Sequence, residues 1–422
     1  MLNRSRLTLR NLPILTSFLP KRFRTSAVPA LPRPTFLRPE EHLSVPIMDH
    51  TQEEAACADA RNRGQFLARQ DRWKDLSAEL RAADKARATT PNGMPIAELL
   101  SFGARLDVVS AMEHALSDCV STETGPMADG ILGFEEILNE YRHDPAIALV
   151  MAQTHIDVAW AWRGTGWDTI VPQLNRQRCA AHFDRAKQIL EPFCGIELDS
   201  PALAATRCAL LAGRRNPKAR VADDYEDLID LAPHNHRHMR ALGNHLLPRW
   251  FGSYAELELE ARRTAARTQD IWGAGGYTWV CFDAIATDEE ACARVDVDFF
   301  IDGLRDILQA RPQQEMVNLL ASYCAVALRN GQGLHEEADL ARGQICDAAD
   351  WLIRDHLTEV HPLIWAHATD GFDNNAPVTS ISRFAARGRA DALHAISNLF
   401  RDEISRGQRI TFTAQGPQMD PI

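Results

Sequence analysis

The stretch Tyr225–Gly243, YEDLIDLAPHNHRHMRALG, decides the fold. Tyr225 and Leu228 put an apolar face at helical spacing ahead of Pro233, and Met239, Leu242 and Gly243 put another behind it. Apolar residues at i, i+3 and i+4 make one buried stripe of a helix. Proline cannot continue that helix but suits the first turn of the next, and glycine lets two backbones approach closely. The stretch therefore reads as two antiparallel helices joined by a short turn.

The same arrangement recurs on either side. Phe193 stands eight residues before Pro201, as Tyr225 stands eight before Pro233, and those two prolines are 32 apart. That separation is close to the roughly 34 residues of a tetratricopeptide-like repeat. Pro145 and Pro312 mark further pairs, while the 79 residues from Pro233 to Pro312 must hold more than one hairpin. The pattern predicts helices over 53–69, 73–88, 97–116, 133–142, 146–162, 183–190 and 202–212, then 313–329, 335–359 and 380–405. The expected fold is all-α, with TPR-like antiparallel helix pairs stacked in an α-α superhelix from residue 48 to residue 422. Ser253-x-x-Glu256 and Thr287-x-x-Glu290 are capping boxes and predict helices just after Ser253 and Thr287. The tail from Gln408 is expected to fray.

Composition limits the function classes. Hydrophobic residues make up 45% and charged residues 24% of the 422, as in an ordinary folded chain. Residues 1–47 hold eight Arg or Lys against two Glu, so this segment is +6 and the net charge of -11 leaves -17 on the remainder. Phosphates would be repelled by such a body, which argues against a nucleic-acid partner. No run approaches the roughly 18 apolar residues of a membrane span. The nine cysteines are scattered singly, without a C-x-x-C pair, and read as reduced thiols of a cytoplasmic protein.

The basic, Pro-rich segment 1–47 is expected to lie outside the folded core. It has the composition of an organellar transit peptide, although Pro13 and Pro20 interrupt the amphipathic helix such peptides need. A start assigned too early, with Met48 as the first residue, gives the same composition. A secretory signal fits less well, because the apolar run from Leu12 to Leu19 is short and contains Pro13.

Candidate chemistry is sparse. His234, His236 and His238 cluster, with His245 beyond, and neutral imidazoles are common metal ligands. No cysteine is near enough to complete a zinc set, so the plainer reading is a polar helix entry, and a metal-binding or enzymatic module at these histidines is the alternative. Gly273, Gly275 and Gly276 lack the preceding strand and the following Lys-Ser or Lys-Thr of a phosphate loop, and read as a close-packed turn. Asp370, Asp373, Asn374 and Asn375 do not have the spacing of a calcium loop. No G-x-S-x-G or H-E-x-x-H is present, and no cofactor is expected.

The aromatic clusters are the better candidates for contact with a partner. Trp160, Trp162 and Trp167 surround Arg163 in AWAWRGTGW, and Arg249 and Trp250 lie in PRWFGSY. Trp and Arg are enriched at binding hot spots, where a rigid apolar surface and a forked donor are both useful. Trp160, Arg163, Arg249 and Trp250 are the expected partner-binding residues, and the partner is an unidentified protein or peptide.

At these residues the chain resembles an uncharacterised bacterial family with TPR-like helical pairs. The motifs are A-W-x-x-R-G at Ala159, Trp160, Arg163 and Gly164, and P-R-W-x-G-S from Pro248 to Ser253, together with DLAPHNHRHMRALG. The resemblance covers roughly residues 130–285. It implies a helical-repeat fold and carries no activity with it.

Overall fold

The computed structural model describes residues 42–117, 126–164, 171–214, 216–331, 333, 335–370 and 380–421. Helices dominate it. The first group is α1 (Gln52–Arg69), α2 (Trp73–Lys85), α3 (Ile96–Ser117), α4 (Pro126–Glu140), α5 (Pro145–Arg163), α6 (Gln173–Leu190) and α7 (Pro201–Ala209). The second is α8 (Val221–Leu231), α9 (His236–Leu246), α10 (Tyr254–Arg267), α11 (Gly275–Thr287), α12 (Val297–Ala310), α13 (Gln314–Ser322), α14 (Glu336–Cys346), α15 (Pro362–Asp370) and α16 (Ile381–Leu399). The protein is all-α, with a small three-stranded sheet among the described residues.

Local chemistry explains most helix starts. Pro145 and Pro201 occupy the first turns of α5 and α7, where an N–H has no partner to lose, and Asp144 and Ser200 cap them. Ser253 caps α10 by accepting the Glu256 amide at 3.3 Å, as its spacing predicts. The second expected cap is displaced by one residue. Thr287 ends α11, and Asp288 caps the short helix Glu289–Arg294 by accepting the Ala291 amide at 2.9 Å. The Thr287 hydroxyl turns back to the Asp283 carbonyl, so it is unavailable to the helix that follows.

The deciding stretch folds as its spacing requires, into α8, a turn at Pro233 and α9. Tyr225, Leu228, Met239 and Leu242 are all buried. Gly243 makes its close approach to α11 rather than to α8. A Cβ there would lie 1.8 Å from the Val280 carbonyl oxygen, so only glycine permits this crossing. Two long predicted helices are interrupted instead. Single π-helical turns at Tyr323–Ala327 and Leu352–His356 follow α13 and the short helix Ala348–Trp351.

Buried side chains form two large apolar clusters. One joins α1–α7 through Leu67, Trp73, Leu80, Ile147, Leu149 and Phe183. The other runs from α7 through α16 and contains Trp272, Tyr277, Trp279, Phe282, Phe300 and Tyr323. Polar contacts tie the two groups together. Arg87 donates to the Leu231 carbonyl and pairs with Asp199, and Arg237 reaches Glu98 at 3.3 Å and the Met94 sulfur. The turn before α9 is thus a joint between the groups.

Two expectations about the ends need correction. Residues 42–47 belong to the fold: Leu43 and Ser44 form β1, parallel to Ile410 and Thr411, and Leu43 is buried in the second cluster. Val360 binds the Pro46 carbonyl and accepts the Met48 amide, each at 2.9 Å. The tail does not fray. Gln408–Thr413 (β2) and Gly416–Pro421 (β3) form an antiparallel pair, held because Ile410 and Phe412 point inward. Short strands with one apolar face gain their stability from such burial.

Candidate functional site

Trp160 lies near the end of α5, and Trp250 lies in the turn between α9 and α10. That turn is tightly built. Gly252 passes so close to Leu246 that a Cβ would meet its carbonyl oxygen at 2.3 Å, and the Trp250 amide binds the Leu247 carbonyl at 2.9 Å. Ser253 then opens α10. The result delivers Trp250 to Trp160, edge to face, with ring centroids 6.3 Å apart. Edge-to-face pairs set the positive rim of one ring against the negative face of the other.

The remaining contacts fix both rings. Trp160 also meets Phe183 of α6 at 5.8 Å, and the Arg163 guanidinium stands 6.0 Å from its centroid, at the limit of cation–π range. Trp250 packs against Phe251 and against His245, which stacks on Phe251 and shares a 2.7 Å hydrogen bond with the Tyr225 hydroxyl. Burial pushes His245 down to about 4, so at neutral pH the ring is uncharged. Trp250 remains 41% exposed.

Of the four expected contact residues, the fold brings Trp160, Arg163 and Trp250 together. Arg249 turns away and donates to Thr287 at 3.1 Å. Trp162 is buried with its indole N–H unpartnered, and Trp167 lies outside the described residues, as do Asp373, Asn374 and Asn375.

The histidine cluster disperses. His234 is exposed, His236 stacks on Trp279 with centroids 4.1 Å apart, and His238 shares a 2.9 Å hydrogen bond with Asn235. Burial holds His236 well below the ordinary imidazole value and His238 near 4. Among the described residues no three His, Cys, Asp or Glu side chains converge as metal ligands would.

A second constellation does not stand out in the sequence. Helix α5 is buried almost all round, yet it carries Gln153, Thr154, His155 and Asp157. Asp157 pairs with Arg105 of α3 at 2.6 Å, with both side chains buried. On another face, His155 Nε2 lies 3.2 Å from Glu135 of α4 and His155 Nδ1 lies 2.9 Å from His182 Nδ1 of α6. Arg185 grips both oxygens of Glu135, at 2.8 and 2.5 Å. Arg185 first, and His155 after it, hold the Glu135 carboxyl at about 2, so it is ionised and can only accept. A cavity of about 10 Å³ beside His155 has room for about one water. The available signal was the run Q-T-H-I-D inside an otherwise apolar helix, because polar groups buried there must find partners.

No family model matches the chain, and no curated protein or solved structure does.

Proposed function

We propose that this protein is a non-enzymatic helical scaffold, with TPR-like pairing of its helices, that binds a peptide or a partner helix at the Trp160–Trp250 seam. One observation carries the reading: Trp250 is exposed while its position is fixed by Trp160, His245 and Phe251. A large aromatic surface that is already immobile loses little entropy when a partner covers it. Arg163 stands beside Trp160 and donates to the Gly164 carbonyl at 3.0 Å, which holds the end of the seam in place. The acidic body favours partners of net positive charge, and we place the protein in the cytoplasm.

Fluorescence anisotropy against a panel of basic amphipathic peptides tests this. The reading expects one peptide class to bind and Trp250→Ala to weaken it about tenfold or more, the equivalent of about 1.4 kcal/mol at a hot spot. Equal affinity for the wild type and the Trp250→Ala protein overturns it.

A further inference from the structure

While both rings are neutral, the His155–His182 contact has only one stable arrangement of protons. Ionised Glu135 accepts, so His155 Nε2 must carry hydrogen and its Nδ1 must be bare. That bare nitrogen then accepts from His182 Nδ1–H, and His182 Nε2 carries no proton. Three helices are joined by this line: α4 through Glu135, α5 through His155, and α6 through His182 and Arg185.

One added proton leaves the line intact, since a charged His155 can donate from Nδ1 once His182 carries its hydrogen on Nε2, but a charge on both rings breaks it. With both rings charged, both Nδ1 atoms carry hydrogen and face each other across 2.9 Å as two donors. The charged groups around them do not relieve this. Glu135 is already shared between Arg185 and His155, Arg178 stands one turn from His182 on α6, and Asp157 is held by Arg105 on another face of α5. The rings must separate, which loosens α6 from α5. Phe183, next to His182 in sequence, packs on Trp160, and Trp160 packs on Trp250.

We propose that the His155–His182 pair is an acid-opened latch on α6 that controls the packing of the Trp160–Trp250 seam, an inference that rests on the seam being the binding surface. Burial, and after it His155, push His182 down to about 4, so the latch is closed at neutral pH and opens in acid.

The test uses the full chain and no partner. Selective ¹⁵N labelling of histidine reports the tautomers, and acrylamide quenching of Trp250, taken as wild type minus Trp250→Phe, reports the seam. His182→Asn keeps an amide N–H in reach of His155 Nδ1 but cannot take up a proton. The latch expects a single hydrogen between the two Nδ1 atoms at pH 7. It also expects quenching to rise on acidification with the midpoint of the His182 titration, before far-ultraviolet dichroism changes, and the step to be lost in His182→Asn. Hydrogen on both Nδ1 atoms at pH 7 or on neither, a flat wild-type profile, or the same step in His182→Asn overturns it. A peptide that binds the wild type and Trp250→Ala alike removes the binding role and leaves the latch result standing, so the two failures are distinguishable.

Discussion

Arg105 and Asp157 form an ion pair of 2.6 Å between α3 and α5, with less than a tenth of either side chain open to water. The pair is embedded in further bonds: the Arg105 guanidinium reaches Gln153 and Ser101, and Gln153 reaches Thr206 of α7. Removing one partner strands a charge away from water. Arg105→Met should therefore cost about 3–5 kcal/mol in urea unfolding, whereas Arg105→Met combined with Asp157→Leu should recover much of that loss. A single substitution as mild as the double one would show that the charges are effectively solvated.

Gly243 and Gly343 should respond to alanine in opposite directions. At Gly243 a methyl meets the Val280 carbonyl, and a backbone cannot yield cheaply, so about 3 kcal/mol or more should be lost. At Gly343, inside α14, nothing lies within 4 Å of the new methyl. Alanine there should stabilise by about 0.5–1 kcal/mol through lower unfolded-chain entropy. Thermal or urea midpoints of the two variants compare them directly.

Ser253→Ala and Asp288→Ala should each cost about 1 kcal/mol, because each removes a side-chain acceptor from a helix start. Thr287→Ala should cost less, since Thr287 caps nothing. A Thr287 variant as damaging as the Asp288 variant would move the helix start back to where the capping-box spacing puts it.

Stability should fall as pH drops below neutrality. His182, His238 and His245 each sit near 4 in the fold and near 6.5 when unfolded, chiefly because burial disfavours the charged ring. Between those values the unfolded chain binds protons that the native chain refuses. The stability present above 6.5 is thus lost progressively toward pH 4, at up to about 1.4 kcal/mol per pH unit for each imidazole. Urea midpoints at pH 7, 6 and 5 that do not move would contradict the burial of these rings.

The helix ends were legible because proline, Ser253 and small residues act locally, through bonds made within one turn. Gly243 was legible as a site of close approach, yet its true neighbour, Val280, comes from a helix that no spacing rule links to it. Trp160 and Trp250 could be picked out by type, but their meeting depends on how two groups of helices dock. The His155–His182 line was hidden for a related reason. Periodicity separates a buried stripe from a solvated one, and α5 has no solvated stripe from which its polar residues could be told apart. The C-terminal strands were missed because their partner lies in a segment whose composition reads as unfolded.

That last pairing has a bearing on synthesis. Leu43 and Ser44 leave the ribosome early, but the neighbours they need, Ile410 and Thr411, are made after all sixteen labelled helices. Contacts between such distant parts of a chain form late, because a long loop must first be closed. The sheet therefore closes only after the helices between its strands have been made, and β1 waits for β2 until then.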